Sequence, residues 1–281
     1  MPIYDQRYRR YEARNPLREL RFWPITREAL KLVIARRAFL LLLLVAWVPF
    51  IARTIQVYVV TRFPEAGRVL PVDGRLFGEF LSGQLGFALL VSVFGGAGLI
   101  ANDLRTGAIL VYLSRPLTRV DYILGKLSAL LALNLFVTLA PALMLWVVAV
   151  SLAPEQFATL KLLWLPAAIV LHALVIGLAM GLMALAVSSL SKSARVAGLA
   201  FAGLFIGLEI ARGVLRGMFR TPETGLVSLQ GNLHALGNAL FGIQHRFFNQ
   251  PWPLAALALL VMAALSLWVL RARVRAVEVV Q

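Results

Sequence analysis

Residues 162–187 read LLWLPAAIVLHALVIGLAMGLMALAV, an apolar run in which His172 is the one side chain able to carry charge. An α-helix rises 1.5 Å per residue, so about 20 such residues cross the hydrocarbon core of a bilayer. This run is long enough. Further runs lie at 38–60, 77–101, 127–150, 196–211 and 252–270, the one at 196–211 being short. The whole chain of 281 residues is 60% apolar and 15% charged, a balance that a water-soluble domain of this length could not hide in its interior. These features predict an all-α integral membrane protein with six transmembrane helices.

Six spans put both termini on one side, and the distribution of Lys and Arg selects the side. Nineteen of the 28 basic residues fall in residues 1–37, the loop 102–126, the loop 188–195 and the C-terminal tail, and nine fall on the opposite side. Positive charge collects on the cytoplasmic face. The expectation is a multi-pass protein of the inner (plasma) membrane with both termini cytoplasmic, divided into an N-terminal segment 1–37 and a six-span body 38–281. The net charge of +15 and the alternating Arg and Tyr of Tyr4 to Tyr11 could suit nucleic acid, but cations beside apolar spans are expected from topology and anionic lipid headgroups alone. Membrane lipid is the expected partner, and nucleic acid is not. The chain has no cysteine, which removes disulfides and thiol chemistry.

Two segments outside the spans carry helical patterns. Thr26 is placed to cap a helix with Glu28 in its first turn, Ile25 and Leu30 have the spacing of a hydrophobic staple, and Ala29, Leu30, Leu32, Val33 and Ile34 form an apolar side opposite Arg27, Glu28 and Lys31. An amphipathic helix at the headgroup layer follows. The outer segment 212–250 is too apolar for a soluble domain and too interrupted to span. Leu226, Leu229, Leu233, Leu236 and Leu240 recur at helical spacing between Gly225, Gly231, Gly237 and Gly242, which predicts one or two re-entrant or interfacial helices.

Catalytic motifs are missing. There is no G-x-S-x-G, no H-E-x-x-H and no G-x-x-x-x-G-K-[ST], so the chain has no phosphate-binding loop of its own. His172, His234 and His245 are too scattered to propose a metal, and His172 reads as a hydrogen-bonded interior residue. No catalytic residue, metal or bound cofactor is expected in this chain.

The most informative loop joins the second and third runs: Asn102-Asp103-Leu104-Arg105-Thr106-Gly107-Ala108-Ile109-Leu110-Val111-Tyr112-Leu113-Ser114-Arg115-Pro116-Leu117-Thr118-Arg119-Val120-Asp121, ending at Gly125-Lys126. Asn102 and Asp103 suit a helix end or cap, Ile109, Leu110 and Leu113 offer an apolar face, and Pro116 stops the helix by disfavouring the α region at Arg115. Thr118 then caps a new helix with Asp121 three residues on. Such a stiff hairpin is something a soluble partner can grip and push.

With Asp103, Gly107, Leu110, Leu113-Ser114-Arg115-Pro116, Thr118-Arg119 and Gly125-Lys126 in place, the loop resembles the first cytoplasmic loop of ABC-2 type permeases, the membrane subunits of type V ABC exporters. Asp103 stands where that family usually has Glu, and Ala108 where it usually has Thr. The resemblance implies two such permeases, identical or different, docked on two separate ATP-binding subunits that hold the ATP and magnesium. It implies a coupling helix over Asp103 to Ser114, with Asp103, Arg105, Thr106, Gly107, Leu110, Leu113, Ser114, Arg115, Pro116, Thr118 and Arg119 forming the ATPase-coupling site. A second, smaller contact would use Ser191, Lys192 and Arg195.

Glu209 and Arg212 sit three apart on one helical face and can pair with each other, either at the outer interface or along a substrate pathway. Ala173, Gly177 and Gly181 give the fourth span a strip suited to close helix packing. Two functions follow. The first is export or flipping of a substrate on ATP hydrolysed by a partner; the second is transmission of ATPase motion to an extracytoplasmic partner without moving cargo.

Overall fold

The computed structural model describes residues 21–63, 65, 67, 72–113, 117–152, 164–243 and 250–274, and among them every regular element is helical. In chain order these are α1 (Trp23–Ile34), α2 (Arg37–Val45), α3 (Val48–Arg62), α4 (Gly74–Val91), a π-helical segment (Ser92–Gly96), α5 (Ala97–Thr106), α6 (Ala108–Leu113), α7 (Arg119–Val137), α8 (Leu139–Leu152), α9 (Leu165–Ser188), α10 (Ala194–Phe219), a 3-10 turn (Pro222–Val227), α11 (Leu229–Phe241) and α12 (Trp252–Arg273). Among the described residues six stretches are long and apolar enough to cross a membrane: Arg37–Arg62, Gly74–Thr106, Arg119–Leu152, Leu165–Ser188, Ala194–Phe219 and Trp252–Arg273. The stretch Tyr4 to Tyr11, His245 and Arg275 lie outside the described residues.

The fourth span, α9, is the hub. It is apolar on every side rather than along one stripe, the pattern of a helix surrounded by others, and it packs against α4, α5, α7, α8, α10, α11 and α12. Most of its apolar window (72%) is buried, against 17% for the first span and 22% for the fifth and sixth, so those three form the periphery. The small strip works as packing requires: a Cβ added at Gly177 would lie 2.7 Å from Leu131 Cδ1 on α7.

Helix breaks inside the spans have local causes. Pro49 divides the first span into α2 and α3, and the side-chain amide of Gln84 on α4 donates to the Ala46 carbonyl at the break (3.0 Å). A backbone acceptor in an apolar medium needs such a partner. Pro141 and Thr138 mark the junction of α7 and α8, where Thr138 Oγ1 donates back to the Asn134 carbonyl (2.8 Å).

Three readings need correction. The fifth span is not short; α10 runs on to Phe219, because Glu209 and Arg212 neutralise each other and need not end the helix. The first eight residues of the segment 212–250 therefore belong to a span, and its α11, expected as re-entrant or interfacial, is packed among α4, α9, α10 and α12, which counts against the interfacial form alone. At the other end, Thr26 is not a cap: α1 begins at Trp23, Thr26 is buried, and the inward stripe is Ile25, Ala29 and Val33, while Leu32 and Ile34 are exposed.

Candidate functional site

The hairpin between the second and third spans is assembled from three short-range rules. α5 carries the second span to Thr106, Gly107 turns the chain at φ 72°, in the left-handed region that suits glycine, and α6 follows. At the far side Thr118 and Asp121 form the predicted capping box: the Thr118 backbone N–H donates to Asp121 Oδ2 (2.9 Å) and the Asp121 N–H donates to Thr118 Oγ1 (3.1 Å).

Between these ends the structure differs from the sequence reading. Asp103, Arg105 and Thr106 belong to the last turns of the second span, and the separate helix is Ala108–Leu113, which carries Leu110 and Leu113. Asn102 and Asp103 do not cap or end a helix because the Asp103 side chain is engaged elsewhere and cannot compete for the local backbone. Arg105 and Arg119 are exposed, and Thr106 Oγ1 donates to the Asn102 carbonyl (2.9 Å). Ser114, Arg115 and Pro116 lie outside the described residues.

What engages Asp103 is a buried lock that the site prediction missed. Asp103 Oδ2 lies 2.7 Å from Lys126 Nζ and accepts a hydrogen bond from the Tyr122 hydroxyl at 2.7 Å. The Lys126 side chain is 3% exposed, with its ammonium 5.8 Å from the ring centre of Tyr112 on α6 and 5.5 Å from that of Tyr122 on α7. One carboxylate and two ring faces thus surround a charge that has left water. The cluster ties the end of the second span, the hairpin helix and the start of the third span to one point. A legible signal existed: Tyr122 and Lys126 are four apart, hence on one face of a helix.

The residue before Lys126 faces the other way. A Cβ at Gly125 would lie 2.7 Å from Ile25 Cβ and 3.0 Å from the Phe22 carbonyl, and Thr26 Oγ1 donates to the Gly125 carbonyl (3.1 Å). α1 is therefore clamped on α7 beside the lock. Gly125→Val is expected to cost about 1–3 kcal/mol and to lift α1 away; since the natural chain has no cysteine, a thiol placed at Val33 reports this directly by becoming reactive only in the valine variant.

The loop of the second predicted contact begins at Ser188, whose bonds lead into the second span rather than to the loop. In the loop after α9, Ser191 Oγ accepts from the Ser193 N–H (3.0 Å), while Lys192 and Arg195 are exposed. Ser188, fully buried, reaches from α9 into the second span: its hydroxyl donates to the Ala97 carbonyl (2.6 Å) and accepts from the N–H groups of Ile100 (3.2 Å) and Ala101 (3.1 Å). The contact lies just after the π segment, whose Ser92 accepts from the Asn134 side-chain amide on α7 (3.2 Å). Nothing in the sequence marks Ser188, because its partners are backbone atoms of another span.

Glu209 and Arg212 do pair. Arg212 Nε donates to Glu209 Oε1 at 2.8 Å and a second guanidinium nitrogen bonds the same oxygen, while Ser228 donates to Oε2 at 2.5 Å. Ser228 also caps α11 by accepting from the Gly231 N–H (3.0 Å), so the ion pair pins α11 to α10. His172 is buried and, contrary to the expectation, neither ring nitrogen has a hydrogen-bond partner among the described residues; it packs against Gly237 and edge-on to Phe241. His234 Nδ1 lies 3.1 Å from Ser82 Oγ. No group of three His, Asp or Glu side chains that could hold a metal occurs among the described residues.

Six candidate spans with the fourth at their centre, a clamped N-terminal helix and a locked hairpin define a polytopic helical protein. The chain matches the family described as ABC-2 family transporter protein over residues 23–245 and belongs to that family. It is accordingly a multi-pass membrane protein of a family of membrane subunits, which in general pair with each other and associate with ABC ATP-binding subunits. A search of curated proteins returns no match to this chain.

Proposed function

We propose that the chain is the permease subunit of an exporter, moving or flipping its substrate with ATP hydrolysed by two separate ATP-binding subunits, in company with a second permease copy. Segment 1–37 and the body 38–281 act together in this reading. Both termini and the hairpin face the cytoplasm, α6 and its flanks sit in the ATPase, and the loop with Ser191, Lys192 and Arg195 makes the smaller contact. The observation that carries the reading is the Asp103–Tyr122–Lys126 lock: a force on the hairpin is delivered to the second and third spans together, since both converge on one buried charge.

Transmission of force to an extracytoplasmic partner is less well supported, because α11 in the segment 212–250 faces inward. Affinity purification of the chain from its native membrane tests the proposal. It should bring down an ATP-binding protein with its own phosphate-binding loop, and a cysteine at Thr118 should be labelled from the inside of intact cells alone. A chain that exports unaided, or a Thr118 cysteine labelled from outside, would overturn it.

A further inference from the structure

We propose that the elbow between α1 and the first span is a binding site for one anionic membrane phospholipid, distinct from bulk headgroup contact. Arg36 is extended (φ −86°, ψ 114°) and joins α1 to α2, placing its guanidinium against the π segment of the second span, where it donates to the Phe94 carbonyl at 3.4 Å. The elbow is seated closely: a Cβ at Gly95 would lie 3.2 Å from the Phe39 ring and 3.5 Å from Val33 Cγ1. Beside this contact a cleft of about 190 Å³ is lined by Arg36, Ala38, Phe39, Leu42 and Phe94.

Charge and shape select the occupant. Arg36 and Arg37 are exposed and take part in no ion pair among the described residues, and Glu28, the one carboxylate in residues 21–63, lies beside Lys31 instead (3.9 Å). A phosphate has complementary charge for the Arg36 guanidinium that lines the cleft, and Arg37, next in sequence, adds a second positive charge at the elbow. The lining below them is apolar, which suits an acyl chain and does not suit a free anion. The elbow is also where a span leaves the hydrocarbon, the level at which headgroups lie. A phospholipid with its phosphate on Arg36 and Arg37 and a chain along Ala38, Leu42 and Phe94 meets all three conditions. Its consequence is local: occupancy bears on the π segment of the second span, which the hairpin extends.

The test uses the full chain, with whatever subunits accompany it, exchanged into neutral detergent with equal phosphatidylglycerol and phosphatidylcholine, and reads retained lipid by native mass spectrometry. The wild type should keep phosphatidylglycerol preferentially. Arg36→Gln and Arg37→Gln should each lower that preference about fivefold, from about 1 kcal/mol per basic residue. Ala38→Trp, which keeps every charge and fills the cleft, should abolish it. Arg271→Gln with Arg273→Gln, which removes the same charge elsewhere, should leave it intact. Equal retention of the two lipids by the wild type, retained preference in Ala38→Trp, or equal loss in the Arg271 and Arg273 variant would each overturn the site. Glycerophosphoglycerol, a headgroup without chains, should not compete; competition would indicate an anion site and also reject the proposal. Should the arginine variants not fold, Ala38→Trp decides alone, because Ala38 is exposed and its replacement leaves the core untouched. The readout needs no ATPase, so it stands or falls separately from the transport proposal.

Discussion

Replacing Lys126 with methionine is expected to destabilise the protein by about 3–5 kcal/mol, read as a shift in reversible unfolding in mixed micelles. The ammonium is almost wholly removed from water and balances Asp103, whose side chain is 15% exposed. Methionine fills much of the same volume but leaves the Asp103 carboxylate with the Tyr122 hydroxyl and no counter-charge. Adding Asp103→Asn to Lys126→Met removes the orphaned charge, so the double variant should recover most of the stability. If the proposed function holds, reconstitution with the ATP-binding subunit that co-purifies should give ATP hydrolysis undiminished and transport reduced, because an amide and a thioether do not hold the hairpin to both spans. Full transport by the double variant would show that the pair serves folding alone.

Ser188→Ala should have the next largest effect. The serine hydroxyl meets three backbone groups of the second span, the Ala97 carbonyl and the Ile100 and Ala101 N–H groups, within a region closed to water. Each group left unmet in such surroundings costs about 1–3 kcal/mol, so a loss of about 3 kcal/mol is expected unless the second span rearranges to pair these groups itself. Such a rearrangement is measurable. Spin labels at Leu90 and Arg105, on either side of the Ser188 contacts, should change their separation in the alanine variant, and Ser188→Thr, which keeps the hydroxyl, should restore the wild-type distance. An unchanged distance together with unchanged stability would remove Ser188 from any mechanical role.

The spans were legible because lipid imposes a length and an apolar composition that local sequence must satisfy. Their ends were less so. The run at 196–211 was cut short at Glu209 and Arg212, since a charge in an apolar run normally marks an exit, and the partner that allows the helix to continue, Ser228, lies 19 residues further on. The Thr118 and Asp121 capping box was readable because both halves lie within one turn. Asp103 is not the cap its place near a turn suggests, for the opposite reason: what draws it away is Lys126, a whole hairpin later. Gly125-Lys126 was visible as a motif, yet its physical meaning, one residue facing α1 and the next facing Asp103, needs the third dimension. Ser188 stands in the loop 188–195, but its reach into the second span leaves no trace in the sequence.

The contact of Thr26 with Gly125 also sets an order of assembly. The two residues are 99 positions apart, so at 5–20 residues per second of synthesis the N-terminal helix waits roughly 5–20 s for its seat to leave the ribosome. During that interval Ile25, Ala29 and Val33 have no protein surface to cover them, and the bilayer surface or a chaperone must shelter them. The first three spans therefore mature as one unit, and a nascent chain halted after the second should be the form that cellular quality control recognises.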